Sequence, residues 1–403
     1  MSKLSEMLRD LCPNGVPFVK LSEIATMSRG VRVIRSQLTG SGEYPVYQNS
    51  MTPLGYYEES NCSANTVFII SAGAAGEIGY SNVDFWAADD CFFFVCPEHL
   101  HSRFLYYALL CQQKYLFSRV RRASVPRLAR TVVEQIKIPL PPFLVQHEIV
   151  RILDNFTELT AELTAELTAR TKQYEYYRNY LLTFDASDKT VLTDRQTDRQ
   201  TDRQVQWLTI GEICELVRGN GLQKKDFTDS GVGCIHYGQI YTYYGTFTEH
   251  TKSFVSLDLA RTLKAVNKGD IIITSTSENV EDVCKAVVWL GDESIVTGGH
   301  AIIMKHKQNP KYLAYYTQTA MFHAEKRKYA SGTKVIDISA TNLAKIRIPV
   351  PSLEEQGRIV AILDRFDALT TDISSGLPAE IATRQKQYEY YRGKLLAFRE
   401  LSQ

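Results

Sequence analysis

At 403 residues the chain is long enough for two or three domains, and 44% hydrophobic with 23% charged residues is the balance of an ordinary water-soluble globular protein. A net charge of +1 excludes a uniformly basic nucleic-acid coat, and no apolar run approaches the roughly 20 residues needed to span a bilayer. Eight cysteines without a CxxC pair exclude a zinc ribbon or dithiol redox site. They read as free thiols in a reducing compartment, so with a start, Met1–Glu6, that lacks the form of a secretion signal, the expected location is cytoplasmic and not membrane-bound.

In chain order, β-rich runs fall at Val67–Ile70 and Cys91–Val95, followed by a helical pattern over Ser102–Gln113. The glycine-rich stretch Gly73–Gly79 lacks both the GK[ST] ending of a P-loop and GxGxxG spacing, so it reads as a tight turn. A proline-rich segment, Ile136–Pro141, predicts an extended exit because proline disfavours helix in the residue before it. Thereafter apolar residues recur by threes and fours at Ile149, Ile152, Phe156, Leu159, Leu163, Leu167, Tyr174, Tyr177 and Leu181, the seam of a coiled coil.

The same succession then returns. Strands are expected at Ile271–Thr274 and Val287–Leu290, a turn at Gly298-Gly299-His300, and a helix over Pro310–His323. The extended exit comes back as Ile346–Pro351, and the seam as Ile359, Ile362, Phe366, Leu369, Ile373, Tyr388, Tyr391 and Leu395, with a kink expected at Gly376 and Pro378. Identity is closest at the frame. Gln146, Ile149-Val150, Ile152-Leu153-Asp154 and Phe156 match Gln356, Ile359-Val360, Ile362-Leu363-Asp364 and Phe366, and the heptapeptide Lys172–Arg178 recurs unchanged at Lys386–Arg392. At the entrances Val16, Phe18, Leu21, Glu23-Ile24 and Arg29-Gly30 match Val205, Trp207, Ile210, Glu212-Ile213 and Arg218-Gly219. The interiors between share little, which is the pattern of one scaffold holding two different surfaces.

The long helical part contains a tandem tetrapeptide, Thr157–Thr160, Ala161–Thr164 and Ala165–Thr168. It is either a good helix former with leucine on one face, or a spacer in which each unit adds about 6 Å of helix. A second tetrad run, Thr193–Gln204, lacks apolar residues and reads as a linker.

Charge is segregated along the chain. Lys114, Arg119, Arg121, Arg122, Arg127 and Arg130 stand together without an acid, and Lys305, Lys307, Lys311, Lys326, Arg327, Lys328 and Lys334 face only Glu325. Arg119, Arg121, Arg122, Arg127, Lys326, Arg327, Lys328 and Lys334 are candidate phosphate contacts, with a solvated charged face as the alternative for each. Arg29 and Arg218, at matching positions, suit a shared role in phosphate contact or structure. Gln48, Asn49, His236, Tyr237 and Gln239 lie beside turn residues and are candidate base readers, since Asn and Gln can bridge adenine edges.

Two divergent modules, each followed by a proline-rich exit, a glutamine, an Ile-Val…Ile-Leu-Asp run and a similar helix, resemble the specificity subunits of type I restriction–modification systems. Tetrads of this type match a spacer known in that family. The resemblance covers residues 1–400. It implies an α+β fold: two globular target-recognition domains separated by two long antiparallel coiled-coil helices, with a pseudo-twofold internal repeat. The expected layout is a first recognition domain at 1–140, a spacer helix with tetrads at 141–185, a repetitive linker at 186–204, a second recognition domain at 205–350 and a second spacer helix at 351–403.

The resemblance further implies a non-catalytic reader of an asymmetric bipartite sequence in double-stranded DNA. Two methyltransferase subunits and restriction subunits would be its partners. S-adenosylmethionine would belong to the former and ATP with Mg²⁺ to the latter, leaving this chain without cofactor, metal or catalytic residues. Two other readings stay open: a stand-alone methyltransferase or nuclease, against which the absence of an Asn/Asp-Pro-Pro-aromatic motif speaks, and a protein-interaction scaffold.

Overall fold

The computed structural model describes residues 3–184, 205–371 and 376–401, so the tetrad run Thr193–Gln204 lies outside the described residues. The chain forms two compact units, Met1–Thr164 with Glu380–Gln403, and Ala165–Ala379. Each mixes strands and helices, as the α+β reading expects. The units cut across the boundaries read from the sequence, because each includes part of the long helix Phe143–Leu182 together with helical residues from the second copy.

Both units close by the same joint. The entrance strand Phe18–Lys20 pairs antiparallel with the exit strand Lys137–Pro139, and Gln206–Thr209 pairs likewise with Arg347–Val350. Pro139 faces Phe18 and Pro349 faces Trp207; two-stranded ribbons tolerate proline, which cannot donate to a ladder. The amides of Leu21 and Ile210 then donate to the carbonyls of Ile136 and Ile346, both at 2.9 Å. Identity survives at these ends because they seal each unit.

Besides its two-stranded pairings, each unit has two larger sheets among the described residues. In the first, one sheet runs in the order Thr26–Arg29, Cys91–Val95, Thr66–Ile70, Ile78–Ser81, and the other Gly55–Tyr57, Tyr44–Tyr47, Trp86–Ala87. In the second the orders are Cys214–Arg218, Ala301–His306, Ile271–Thr274, Ala286–Trp289, Phe247–Thr248, and Ser253–Val255, Val232–Ile235, Ile295–Thr297, Lys264–Val266. The central strands are mostly buried, Ile271–Thr274 completely, which is why they read as continuous apolar runs rather than alternating ones.

The expected helix over Pro310–His323 is divided. Pro310–Tyr316 is capped by Asn309, whose side chain accepts from the amides of Lys311 and Tyr312. Thr319 then donates to the Tyr316 carbonyl at 2.8 Å and accepts from the Phe322 amide, so it ends one helix and caps the next, Ala320–Arg327. The second spacer is also divided, into Leu353–Thr371 and Leu377–Leu395, with Pro378 in the first turn of the latter where its missing N–H costs nothing.

Within the first unit Phe156 stacks on Tyr391, centroids 5.4 Å apart; within the second Tyr177 stacks on Phe366 at 5.5 Å. The contacts are reciprocal, since Phe156 matches Phe366 and Tyr177 matches Tyr391 in the repeat. This accounts for three of the seam tyrosines, Tyr174, Tyr177 and Tyr391, which cover the phenylalanine of the other copy, while Tyr388 meets Tyr107. Core packing is dense at the helix roots, where Ile149, Leu153, Ile359 and Leu363 are fully buried and each contributes about 1.5–3 kcal/mol. It thins along the tetrads, where Leu159 is 46% exposed. There the threonines fold back on the helix, Thr160 donating to Phe156 O and Thr164 to Thr160 O.

Candidate nucleic-acid interface

In each unit three loops are stitched to one turn. In the first, the Ser71 amide donates to Asp90 O (2.7 Å), Ala74 N to Asn49 O (2.9 Å), Gly73 N to Pro126 O (3.1 Å) and Leu128 N to Ser71 O (2.8 Å). Gly73 and Gly76 have positive φ there, so the glycine-rich stretch is the turn between strands that its sequence predicts. In the second unit Ser275 N donates to His300 O and Ile338 N to Ser275 O, both at 2.9 Å, Thr276 pairs with Asp337, and Tyr241 OH donates to Thr276 O at 2.8 Å. The loop after Tyr44–Tyr47 or Val232–Ile235, the turn before Cys91 or Ala301, and a hairpin therefore converge on one face in each unit.

That hairpin is closed by Arg121 and Arg127, which exchange backbone hydrogen bonds of 2.8 and 3.1 Å, and in the second unit by Ser331 and Asp337 at 3.0 and 2.8 Å. Its tip leaves Arg122, Ser124 and Val125 exposed in one case and Thr333, Lys334 and Val335 in the other. Arg121, Arg122 and Arg127 are exposed with no carboxylate partner among the described residues, and Arg119 lies nearby in sequence, over the Tyr115 ring at 5.1 Å. A cluster of unpaired guanidinium groups on a protruding loop is suited to a polyanion.

The Arg-Gly pairs acquire a structural reason. A Cβ on Gly30 would lie 2.2 Å from Ala88 O, and one on Gly219 2.1 Å from Gly298 O, so both glycines let the chain press against the turn that carries Asp90 or His300. Arg29 Nε donates to Asp89 O at 2.6 Å and the residue is otherwise exposed, as Arg218 is.

Other candidates divide by what already holds them. Asn49 is exposed and Gln48 half-buried, with the Gln48 carbonyl accepting from Cys91 Sγ. Tyr237 is half-buried between the rings of His236 (4.5 Å) and His300 (4.8 Å). His236 itself is buried and its Nδ1 accepts from Gly238 N; burial, with Lys224 and His300 nearby, keeps its pKa below the usual histidine range. Gln239 Oε1 accepts from His236 N and Nε2 donates to Ser253 Oγ. His236 and Gln239 thus cap the helix Tyr237–Thr242.

Lys326 departs from its expected role. It is 1% exposed, and its Nζ donates to the carbonyls of Glu281 and Val283, each at 2.6 Å. Burial pushes the ammonium down to about 8, and an ammonium so enclosed cannot meet a phosphate. Arg327 pairs with Glu281 at 2.8 Å and Lys328 with Glu325, both at the surface; Lys334 is exposed on the hairpin and unpaired among the described residues.

Sequence reasoning marked some of the side chains that fasten each face to its helix by their repetition, but not the contacts they make. Gln146, fully buried, donates to His99 O and Pro141 O and accepts from His101 N; Gln356 donates to Gln308 Oε1 and Pro351 O and accepts from Asn309 N. Beside them Arg103 Nε reaches Asp154 at 2.9 Å and Tyr107 donates to the same carboxylate, while Lys311 and Tyr315 grip Asp364 at 2.8 and 2.7 Å. The repeated aspartates signalled this, but their partners Arg103 and Lys311 differ in kind. Among the described residues no helix is long and apolar enough to cross a membrane, and no cluster of His, Cys, Asp or Glu could hold a metal.

These features define a duplicated recognition scaffold: one frame, built twice, under two different exposed faces. The profile of the type I restriction modification DNA specificity domain matches residues 13–173 and again 203–383. The chain belongs to this family. A putative type I restriction enzyme specificity subunit of Haemophilus influenzae is 31% identical over 403 residues, spanning 95% of this chain and 96% of the relative. The specificity subunit of the type I restriction enzyme EcoR124I/EcoR124II of Escherichia coli is 34% identical over 273 residues, 66% of this chain and 64% of that protein. In fold the chain is similar to the S subunit of a type I restriction–modification system from M. genitalium, with TM-score 0.58 and 18% identity over 94% of this chain and 96% of that one. It is likewise similar to a chain from a study of type I complex assembly and conformational transition, with TM-score 0.56 and 17% identity over 95% and 98%.

Proposed function

We propose that this chain is the non-catalytic subunit that reads an asymmetric, bipartite sequence in double-stranded DNA and directs methyltransferase and restriction subunits to it. The observation that carries the reading is the duplication itself: matching joints, anchors and hairpins support exposed side chains that differ between units. One unit reads one half of the target, and because the faces differ, so do the halves. Phosphate contacts come from the hairpin arginines and Lys334, which position the duplex without encoding sequence. The reciprocal stacking of Phe156 on Tyr391 and Tyr177 on Phe366 supports antiparallel spacer helices, on which two methyltransferase subunits dock. S-adenosylmethionine, ATP and Mg²⁺ belong to the partner subunits, and the setting is the cytoplasm.

The tetrads Thr157–Thr168 act in this reading as a length-setting segment. A four-residue unit changes a helix by about 6 Å and turns it by about 40°, so the buried stripe is nearly kept while the span shifts by two or fewer base-pair steps. The test of the whole reading is selection from a randomised duplex pool by the full chain assembled with its methyltransferase subunits. Two different short half-sites at a fixed gap are expected; a continuous palindrome, or no enrichment, contradicts it.

A further inference from the structure

Register fixes which positions of the two faces correspond. Tyr47 pairs with Ala87 in parallel, as Ile235 does with Thr297, so Asn49 matches Tyr237, two residues beyond each strand. Gly30 N donates to Cys91 O and Gly219 N to Ala301 O, so Asp90 and His300, each one residue earlier, match as well. The stitching confirms the second match independently, since Asp90 O and His300 O accept from the equivalent amides of Ser71 and Ser275. In both units the pair flanks the same turn, next to the hairpin.

We propose that Asn49 with Asp90, and Tyr237 with His300, are the residues that select the base pair in their respective half-sites. The proposal rests on the DNA-reading function stated above and assigns its specificity to two positions per unit. What separates these residues from His236 and Gln239 is that each keeps polar side-chain atoms free of hydrogen bonds among the described residues. His236 and Gln239 cap a helix, and the hairpin arginines carry charge that addresses phosphates. By contrast the Asp90 carboxylate, the Asn49 amide and the Tyr237 hydroxyl have no hydrogen-bond partner among the described residues, although Asn49 and Asp90 anchor the turn through their backbones. His300 uses one ring nitrogen, Nδ1, on Thr276 Oγ1 at 3.0 Å, which orients the ring and leaves Nε2 for another partner.

The chemistry of the two pairs differs in the way an asymmetric target requires. The first unit offers an amide, able to bridge the N6 and N7 of adenine, and an acceptor-only carboxylate suited to the N4 amine of cytosine. The second offers phenol and imidazole rings in tilted contact on the wall of a cleft of about 530 Å³, lined also by Thr276, Ser277, Glu278 and Val335. Aromatic edges with Val335 suit the thymine methyl, and the ring nitrogen and hydroxyl suit the acceptors of a purine.

The test is the double variant Tyr237→Asn with His300→Asp, which gives the second unit the first unit's pair. The full chain, assembled with its methyltransferase subunits, is titrated on duplexes in which each base pair of either half is varied in turn. The expected result is a changed preference of about tenfold or more at one or more positions in one half only, with the other half and the gap unchanged. An unchanged preference overturns the proposal, and so does an equal loss on every duplex, which marks a general rather than a selective contact. If the double variant does not assemble, Tyr237→Phe with His300→Gln, close in size to the original pair, is scored on the same panel by the same criteria. Failure of the wild-type complex to select any split sequence would instead reject the DNA-reading function itself.

Discussion

Lys326→Met isolates the consequence of enclosing a lysine. The folded protein holds this ammonium at about 8 against an ordinary 10.5, chiefly because burial strips its water; Cys284, Asp282 and Glu281 oppose the shift and Arg327 adds to it. A depressed lysine binds fewer protons folded than unfolded between those values, so stability rises with pH across that window. From about pH 7.5 to about pH 9.5 the wild type should gain about 2 kcal/mol that the methionine variant does not. Loss of the donor to Glu281 O and Val283 O shifts the variant by an amount independent of pH and leaves the slope untouched. Cys284, its thiol pushed up to about 12 by burial, titrates in the opposite sense, so both proteins carry Cys284→Ala. Urea unfolding at several pH values, comparing the difference between the two, is the assay. Profiles that stay parallel to within about 0.5 kcal/mol refute the enclosure of the charge, and a reduced salt dependence of DNA binding in Lys326→Met refutes its exclusion from the phosphate contacts.

Arg121→Ala and Arg122→Ala should each lower the slope of log affinity against log salt by about 1; an unchanged slope removes the hairpin from the interface. Gln356→Leu leaves the Asn309 amide and the Pro351 carbonyl without their buried partner and should cost about 2–4 kcal/mol, measured by urea unfolding, with a cost under about 0.5 kcal/mol counting against the anchor. Deleting Ala161–Thr164 should shorten the gap of the methylated motif by one or two base pairs, and an unaltered gap eliminates the spacer role.

The frame was legible because it repeats. Residues needed twice for the same contacts, such as Gln146 and Gln356 or Phe156 and Phe366, stand out by identity even though their partners were unknown. The strand Cys91–Val95 was readable to the residue for a second reason, since a largely buried strand shows as an unbroken apolar run. Lys326 was misread because it sits in a run of cations, and a run gives no sign of which member turns inward; only the carbonyls of Glu281 and Val283, more than forty residues away, decide that. The equivalence of Asp90 and His300 escaped notice because an aspartate and a histidine share no pattern, and it exists in the hydrogen-bond register rather than in the sequence. The helix break at Thr319 depends on one hydroxyl choosing between carbonyl and amide, a choice that periodicity does not record.

The most direct test of the central claim is single-molecule long-read sequencing of methylation in cells that express the chain with its methyltransferase subunits, against cells lacking only the chain. A split, asymmetric motif methylated solely when the chain is present is the predicted result. Methylation that is the same in both, with the methyltransferase active, would contradict the account and leave a protein-binding scaffold as the better description.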